Sequence, residues 1–312
     1  MVNEIPYVNS AFEQPWWLDI VAPGKWDEVT IKEHDQVIAR LPYVISDGKI
    51  SMPLYTQTLG IWIDSKFKEF RKGNDHLAEQ KKIIHQLLSL LPKSKSVDFV
   101  FDSAVEYILP FRWEGYSIDP TFSYRITELD KEIVDNKLGK GIKRDLNRGM
   151  RLFSIDENNN SIDEFIALQN LTYSRQNRKN PVNNDLTASI ISKAIEAQHG
   201  KLLFARDDDG NAHAACFLLY DKNVCYHLLS GQNTIYGNDG AMPFLLYNEI
   251  LFASKNSRIF DFEGSMVEGI EQVYRRFGGK QVINWHVSKQ SVLHDIFGVM
   301  KPRIKRLIGY KI

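Results

Sequence analysis

Apolar and polar positions run through two similar cycles along the chain. In the first, residues 12–21 form an apolar helix-like stretch, and short strand-like runs follow at 28–31, 36–45 and 49–52. Asp47-Gly48 between the last two runs is a hairpin signal. Ile83, Ile84, Leu87, Leu88 and Leu91 then share one face of a helix stopped by Pro92, and residues 97–101 read as a further strand.

From Leu202 the same order returns: strands at 202–205, 214–220 and 224–229, a helix over 241–254 and a strand over 258–262. Asp98 in the first cycle and Asp261 in the second sit between aromatic or aliphatic neighbours, as do Phe111 and Phe277 further on. Both pairs are displaced by nearly the same number of residues. This predicts an internal duplication and an α+β fold of two related halves, each a mixed, mostly antiparallel sheet flanked by helices. The expected division is 1–128, 129–295 and a C-terminal helix over 296–312. Between the halves, Val134, Leu138, Ile142, Leu146 and Met150 recur every fourth residue, which predicts one helix over 130–152. Lys137, Lys140, Arg144, Arg148 and Arg151 mark a second, basic stripe, and Gly139 and Gly141 cost that helix about 1 kcal/mol each.

The 312 residues suit two ordinary domains. Lysine plus arginine and aspartate plus glutamate each number 39, so no global field draws the chain to DNA or anionic lipid, and any polyanion must be held by a local patch. The opening Met-Val-Asn-Glu-Ile-Pro lacks the basic and apolar parts of a signal peptide. The most apolar segment, 241–253, is shorter than the roughly 20 residues of a membrane span. A cytoplasmic protein without membrane insertion is the expectation, and Cys216 and Cys225 fit it as buried, unreactive thiols. The histidines and cysteines show no metal spacing, and no Walker loop or dinucleotide fingerprint occurs.

Residues 230–240 and 260–279 read strand, glycine-bearing loop, helix, a strand ending Asp-Phe-Glu-Gly-Ser, and a helix ending Arg-Arg-Phe-Gly-Gly. Together with the basic segment Lys140 to Arg151 and the Gln14-Pro15-Trp16-Trp17 opening, this order resembles the FemAB-like branch of the GNAT superfamily. The resemblance implies two tandem GNAT folds, with the reaction in the second. It implies acyl transfer to an amine of a cell-envelope or polysaccharide precursor, a small-molecule or nucleotide-linked acceptor. It implies no tightly bound cofactor and a co-substrate that is either an acyl-CoA thioester or aminoacyl-tRNA. The peptidoglycan branch carries a lysine three residues before the phenylalanine of its Phe-Gly motif. Here that position is Tyr274, which favours the thioester donor, with tRNA as the alternative. A binding protein that kept the duplicated fold without catalysis is the reading from another class.

In such a fold an anionic donor lies on amides at the start of the helix after the central strand, here Gly237, Asn238, Gly240, Ala241 and Met242, with Asp239 a candidate N-cap. His227 is a candidate proton acceptor and equally a candidate hydrogen-bonded core residue. Glu263 shares a strand face with Asp261 and precedes the Gly264-Ser265 turn, which makes it the candidate acceptor-binding or general-base carboxylate. Tyr274 is a candidate donor to a leaving thiolate or oxyanion, or a packed aromatic. Ser265, Arg144, Arg148 and Arg175 are the candidate acceptor or phosphate contacts, with a solvated basic face as the plain alternative.

Overall fold

Pro15 at the first helical position fixes the φ that a helix needs, and α1 (Pro15–Val21) follows it, burying Trp16, Trp17 and Leu18. The structure, a computed structural model, describes residues 4–175, 180–237, 239–264 and 266–290. After α1 come β1 (Trp26–Glu33), β2 (Gln36–Ser46), β3 (Lys49–Ile50), β4 (Trp62–Ile63), α2 (Asp75–Leu90), β5 (Ser96–Phe101), α3 (Leu109–Trp113) and β6 (Ser117–Ile126). The second half holds α4 (Lys131–Lys137), α5 (Lys140–Leu152), β7 (Ser154–Asp156), α6 (Ile162–Arg175), α7 (Asn184–Glu196), β8 (Gly200–Arg206) and β9 (Ala212–Tyr220). It continues through β10 (Val224–Gln232), α8 (Ala241–Asn256), β11 (Ile259–Asp261), α9 (Glu268–Arg276) and β12 (Lys280–Gln290). None of the described helices is long and apolar enough to cross a membrane.

The chain divides into two compact units. In the N-terminal unit β1, β2, β3, β5 and β12 lie side by side, with β4 also against β2. All these pairings are antiparallel except β3 with β5. Leu41, Phe99, Phe101 and Val287 of this sheet pack with Leu87 of α2 and Phe111 of α3. The C-terminal unit orders its strands β6, β11, β10, β9, β8, β7, antiparallel except for β10 with β11. Alternate positions Leu203, Ala205, Ala214, Cys216, Leu218 and Cys225 share one core cluster with Ile142 and Leu146 of α5 and Leu245 and Ile250 of α8. The positions between them, including Leu202, Phe204, Phe217 and Leu219, are buried as well. Helix cover on both faces is why these strands read as continuous apolar runs.

The two-unit α+β fold agrees with the duplicated pattern, and both anchors, Phe111 and Phe277, are fully buried. Two expectations need correction. The helix expected over 130–152 is two helices, because the chain turns extended at Leu138 and Gly139, and the Gly139 amide donates to the Arg276 carbonyl instead of continuing the helical ladder. The division expected after 128 and after 295 also differs: one unit is 122–282, and among the described residues Ile283–Gln290 belong with those before Phe122. The cause is strand exchange. The strand that follows α3 runs into the C-terminal unit beside β11, while β12 pairs with β5 from Gln290↔Ser96 to Trp285↔Phe101. The expected C-terminal helix, Asn238 and Ser265 lie outside the described residues.

Candidate active site

The C-terminal sheet opens at one place. β10 and β11 pair in parallel only from Val224↔Ile259 to Tyr226↔Asp261; β11 then ends, while β10 runs on to Gln232. The pairing of β10 with β9 shifts register between His227 and Leu229, a bulge that redirects the strand at the opening. β10 beyond Tyr226 therefore has no β11 partner; at its end the Gln232 amide and carbonyl pair with Thr172 of α6, so the part of the edge nearest His227 is where a ligand would find backbone groups.

His227 stands at this point, 7% exposed, with Nδ1 2.6 Å from Oε2 of Glu249 on α8. Glu249 is fully buried, and its Oε1 has no hydrogen-bond partner among the described residues. An imidazole whose Nδ1–H is held by a carboxylate presents Nε2 as a proton acceptor, the arrangement of an oriented base. The buried thiols of Cys216 and Cys225 are pushed up, first by burial and then by the charge of Glu249, so they are not nucleophiles.

Tyr274 of α9 packs edge-on to His227, with ring centroids 6.5 Å apart, and stacks on Phe262 at 4.7 Å. Burial, followed by the charges of Glu249, Glu263 and Asp261, holds its hydroxyl proton well past the usual phenol range. Glu263 follows the end of β11 with φ +62°, a left-handed conformation that costs a side-chain-bearing residue on the order of 1 kcal/mol or more. Its Oε1 is buried without a partner among the described residues. Burial, then the neighbouring Asp261 charge, keeps the carboxyl protonated well above the ordinary carboxylate range. A resting Glu263 is thus a proton donor, which differs from the base expected from the sequence. Asp261 is structural: it is fully buried and accepts hydrogen bonds from Ser123, from Arg125 Nε at 2.7 Å and from the Glu263 amide at 2.8 Å.

A second cluster surrounds the start of α8. Asp239 is not the N-cap expected from the sequence, which is Gly240; it stands one residue earlier, its Oδ1 accepts the Ala241 amide at 2.9 Å, and its Oδ2 lies 2.6 Å from His213 Nδ1. His213 Nε2 is 3.0 Å from Asp207, and the ring stacks on Tyr236 at 3.8 Å. Gly240, at φ +94°, crosses α5 so closely that a Cβ would lie 2.5 Å from the Asp145 carbonyl. Arg144 and Arg148, expected at the acceptor, lie on α5 and both pair with the carboxylate of Asp145, the residue whose carbonyl Gly240 approaches. As an anion cradle this end of α8 is poor. The Ala241 amide goes to Asp239, Pro243 has none and the Phe244 amide goes to Gly240, which leaves Met242 alone among the first four residues. Gly237 is exposed on the preceding turn, and Ala241 is buried in the core. Three of the expected loop residues, Ser230 to Gln232, belong to β10 itself.

The fold matches solved structures along most of its length. FemX covers 92% of its own chain and 89% of this one at a TM-score of 0.66 and 10% identity. The L-PGS structure from Bacillus licheniformis covers 92% and 95% at a TM-score of 0.53 and 12% identity. The C-terminal domain of a putative lysylphosphatidylglycerol synthetase from Agrobacterium fabrum covers 89% and 90% at 0.52 and 11%. The fold is FemAB-like. No protein-family model and no curated protein sequence matches the chain.

Within this FemAB-like fold the structure brings His227, Tyr274 and Glu263 together and adds Glu249, which sequence reasoning missed. Its signal is a single acid in the middle of the apolar helix α8, where only a paired carboxylate is tolerable. His213 was also missed. Arg175 is the last residue of α6. No group of three or more histidine, cysteine or acidic residues among the described ones could hold a metal ion.

Proposed function

We propose that the C-terminal unit catalyses acyl transfer to an amine at the opening between β10 and β11. The observation that carries this reading is the His227–Glu249 pair at that opening, with Tyr274 and Glu263 beside it. The donor carbonyl lies against the open edge of β10, where backbone amides stabilise the oxyanion. His227 Nε2 takes the proton of the attacking amine, and Glu249 stabilises the imidazolium that results. As the tetrahedral intermediate collapses, the bond to the leaving oxygen or sulfur breaks and that atom takes a proton from Glu263 or Tyr274, the two groups that retain theirs at neutral pH. The acceptor class, an amine of a cell-envelope precursor, follows from the resemblance to FemAB-like proteins.

For the donor, the start of α8 favours an aminoacyl ester such as aminoacyl-tRNA over the thioester expected from Tyr274. A single open amide beside the Asp239 carboxylate is weak support for a diphosphate. Likeness to structures named FemX and lysylphosphatidylglycerol synthetase points the same way. The test is single-turnover release of the acyl group to hydroxylamine from charged tRNA and, in parallel, from acetyl-CoA. Acceleration with charged tRNA that disappears in His227→Gln is expected. Acceleration with acetyl-CoA alone overturns the donor assignment, and acceleration with neither overturns the transferase reading.

A further inference from the structure

The N-terminal unit contains a cavity of about 150 Å³ that the proposed transfer chemistry does not use. Ile61 and Ile63 of the β4 segment, Ile84 of α2 and Val105 form its apolar floor, each 7% exposed or less. The floor is aliphatic, while the rest of the lining, which includes Gln80 and Tyr107, is polar or amphipathic and opens to solvent. At the mouth the chemistry changes. Lys68 and Glu106 are both exposed there, and His76 is buried against the wall. His76 Nδ1 accepts the Arg71 amide at 3.4 Å, which places the ring proton on Nε2 as a donor. The Lys68 ammonium rests on the Ala104 carbonyl at 3.2 Å, and Glu106 is the carboxylate whose charge acts most on it.

The site thus offers an aliphatic floor, a cation with a neutral donor, and a carboxylate, all at one opening. A monoanion leaves Glu106 facing its charge, and a monocation leaves Lys68 in the same position. Only a zwitterion with an aliphatic tail answers all three. We infer that this pocket binds a free α-amino acid with a branched aliphatic side chain, its carboxylate toward Lys68 and His76, its ammonium toward Glu106, and its side chain on the isoleucine floor. The pocket gives the N-terminal unit a ligand-sensing role separate from the transfer site.

Ligand-detected NMR and calorimetric titration of the full-length protein test this with L-leucine, isovalerate, 3-methylbutylamine and glycine. Leucine should bind, with each analogue that lacks one charge, and glycine that lacks the tail, weaker by about tenfold or more. Glu106→Gln should weaken leucine while tightening isovalerate, and Lys68→Met should weaken both. Both side chains are exposed, so the variants should keep the parent thermal midpoint, which is measured alongside. Isovalerate or 3-methylbutylamine binding as tightly as leucine overturns the inference. So does leucine binding that both variants leave intact, or no saturation transfer from leucine to the parent protein.

Discussion

Replacing Glu249 by glutamine separates a working orientation of His227 from simple packing. Glu249 is fully buried, its Oε2 lies 2.6 Å from His227 Nδ1, and its Oε1 is unpartnered among the described residues. Glutamine conserves volume and can still accept from Nδ1–H, so the change removes charge and little else. Two stability terms then oppose each other. Loss of charge assistance on one hydrogen bond costs about 1 kcal/mol or somewhat more, while relief of a buried carboxylate with one idle oxygen returns a similar amount. The folded state should shift by less than about 1 kcal/mol, whereas Glu249→Ala, which strands His227, should cost about 3–5 kcal/mol. Turnover responds differently, because the imidazolium formed when Nε2 accepts a proton loses its counter-charge. Since an oriented general base contributes about 10²–10⁴-fold, kcat should fall about a hundredfold in Glu249→Gln with KM nearly unchanged. Single-turnover transfer and urea denaturation of the same preparations measure both quantities. The double variant with His227→Gln should be no slower than His227→Gln alone, as expected of groups acting as a unit. A kcat within about threefold of the parent, or rate losses that multiply in the double variant, refutes the argument.

Glu263→Gln removes a proton donor without changing shape, so turnover should fall about tenfold or more while the thermal midpoint holds or rises at alkaline pH, where the parent must bury a carboxylate; unchanged turnover removes Glu263 from the site. Glu13 in the N-terminal unit is raised from 4.5 to about 7, chiefly by burial. A raised carboxyl favours the fold while protonated, so its contribution is fully present below about pH 4.5 and disappears as pH rises through about 7, about 3 kcal/mol in all. Glu13→Gln should flatten the fall of the urea midpoint across that window, and a parental pH profile in the variant contradicts the assignment. Gly240→Ala places a Cβ 2.5 Å from the Asp145 carbonyl at φ +94°, so α5 must move and chemical denaturation should register a loss above about 2 kcal/mol; a neutral result means the crossing is looser than described.

The fold was legible where local pattern and tertiary burial agree. The alternating and continuous apolar runs of β2, β8, β9 and β10 and the Asp47-Gly48 turn correspond to observed elements, as does the duplicated order of elements. β6 and β12 were not recognised, and they are the strands that the two units exchange. Ser117–Ile126 contains Pro120 and mixes buried with exposed positions, so neither a clean alternation nor an apolar run marks it. The break at Gly139 was invisible for a different reason. Val134, Leu138, Ile142 and Leu146 keep helical spacing across it and are all buried, while the Arg276 carbonyl that captures the Gly139 amide is distant in sequence.

The site shows the same division. His227, Glu263 and Tyr274 could be nominated from residue type and position, but their roles depend on partners set by tertiary register. Glu263 reads as a base because carboxylates usually do; only its burial beside Asp261 keeps the proton on it. Glu249 is a single acid within an apolar helix and Glu13 is buried as fully, and a buried acid must find a donor or stay protonated. The two resolve that demand in opposite ways. Glu249 meets an imidazole 22 residues earlier in the chain, while Glu13 accepts from the Asn9 amide and side chain and still shifts toward its neutral form. The difference lies in the partner: the packing of α8 against β10 gives Glu249 an imidazole, while Glu13 meets only amide donors from Asn9. A lone acid in an apolar helix is therefore a readable sign that a partner exists, and the base it orients is what the fold must reveal.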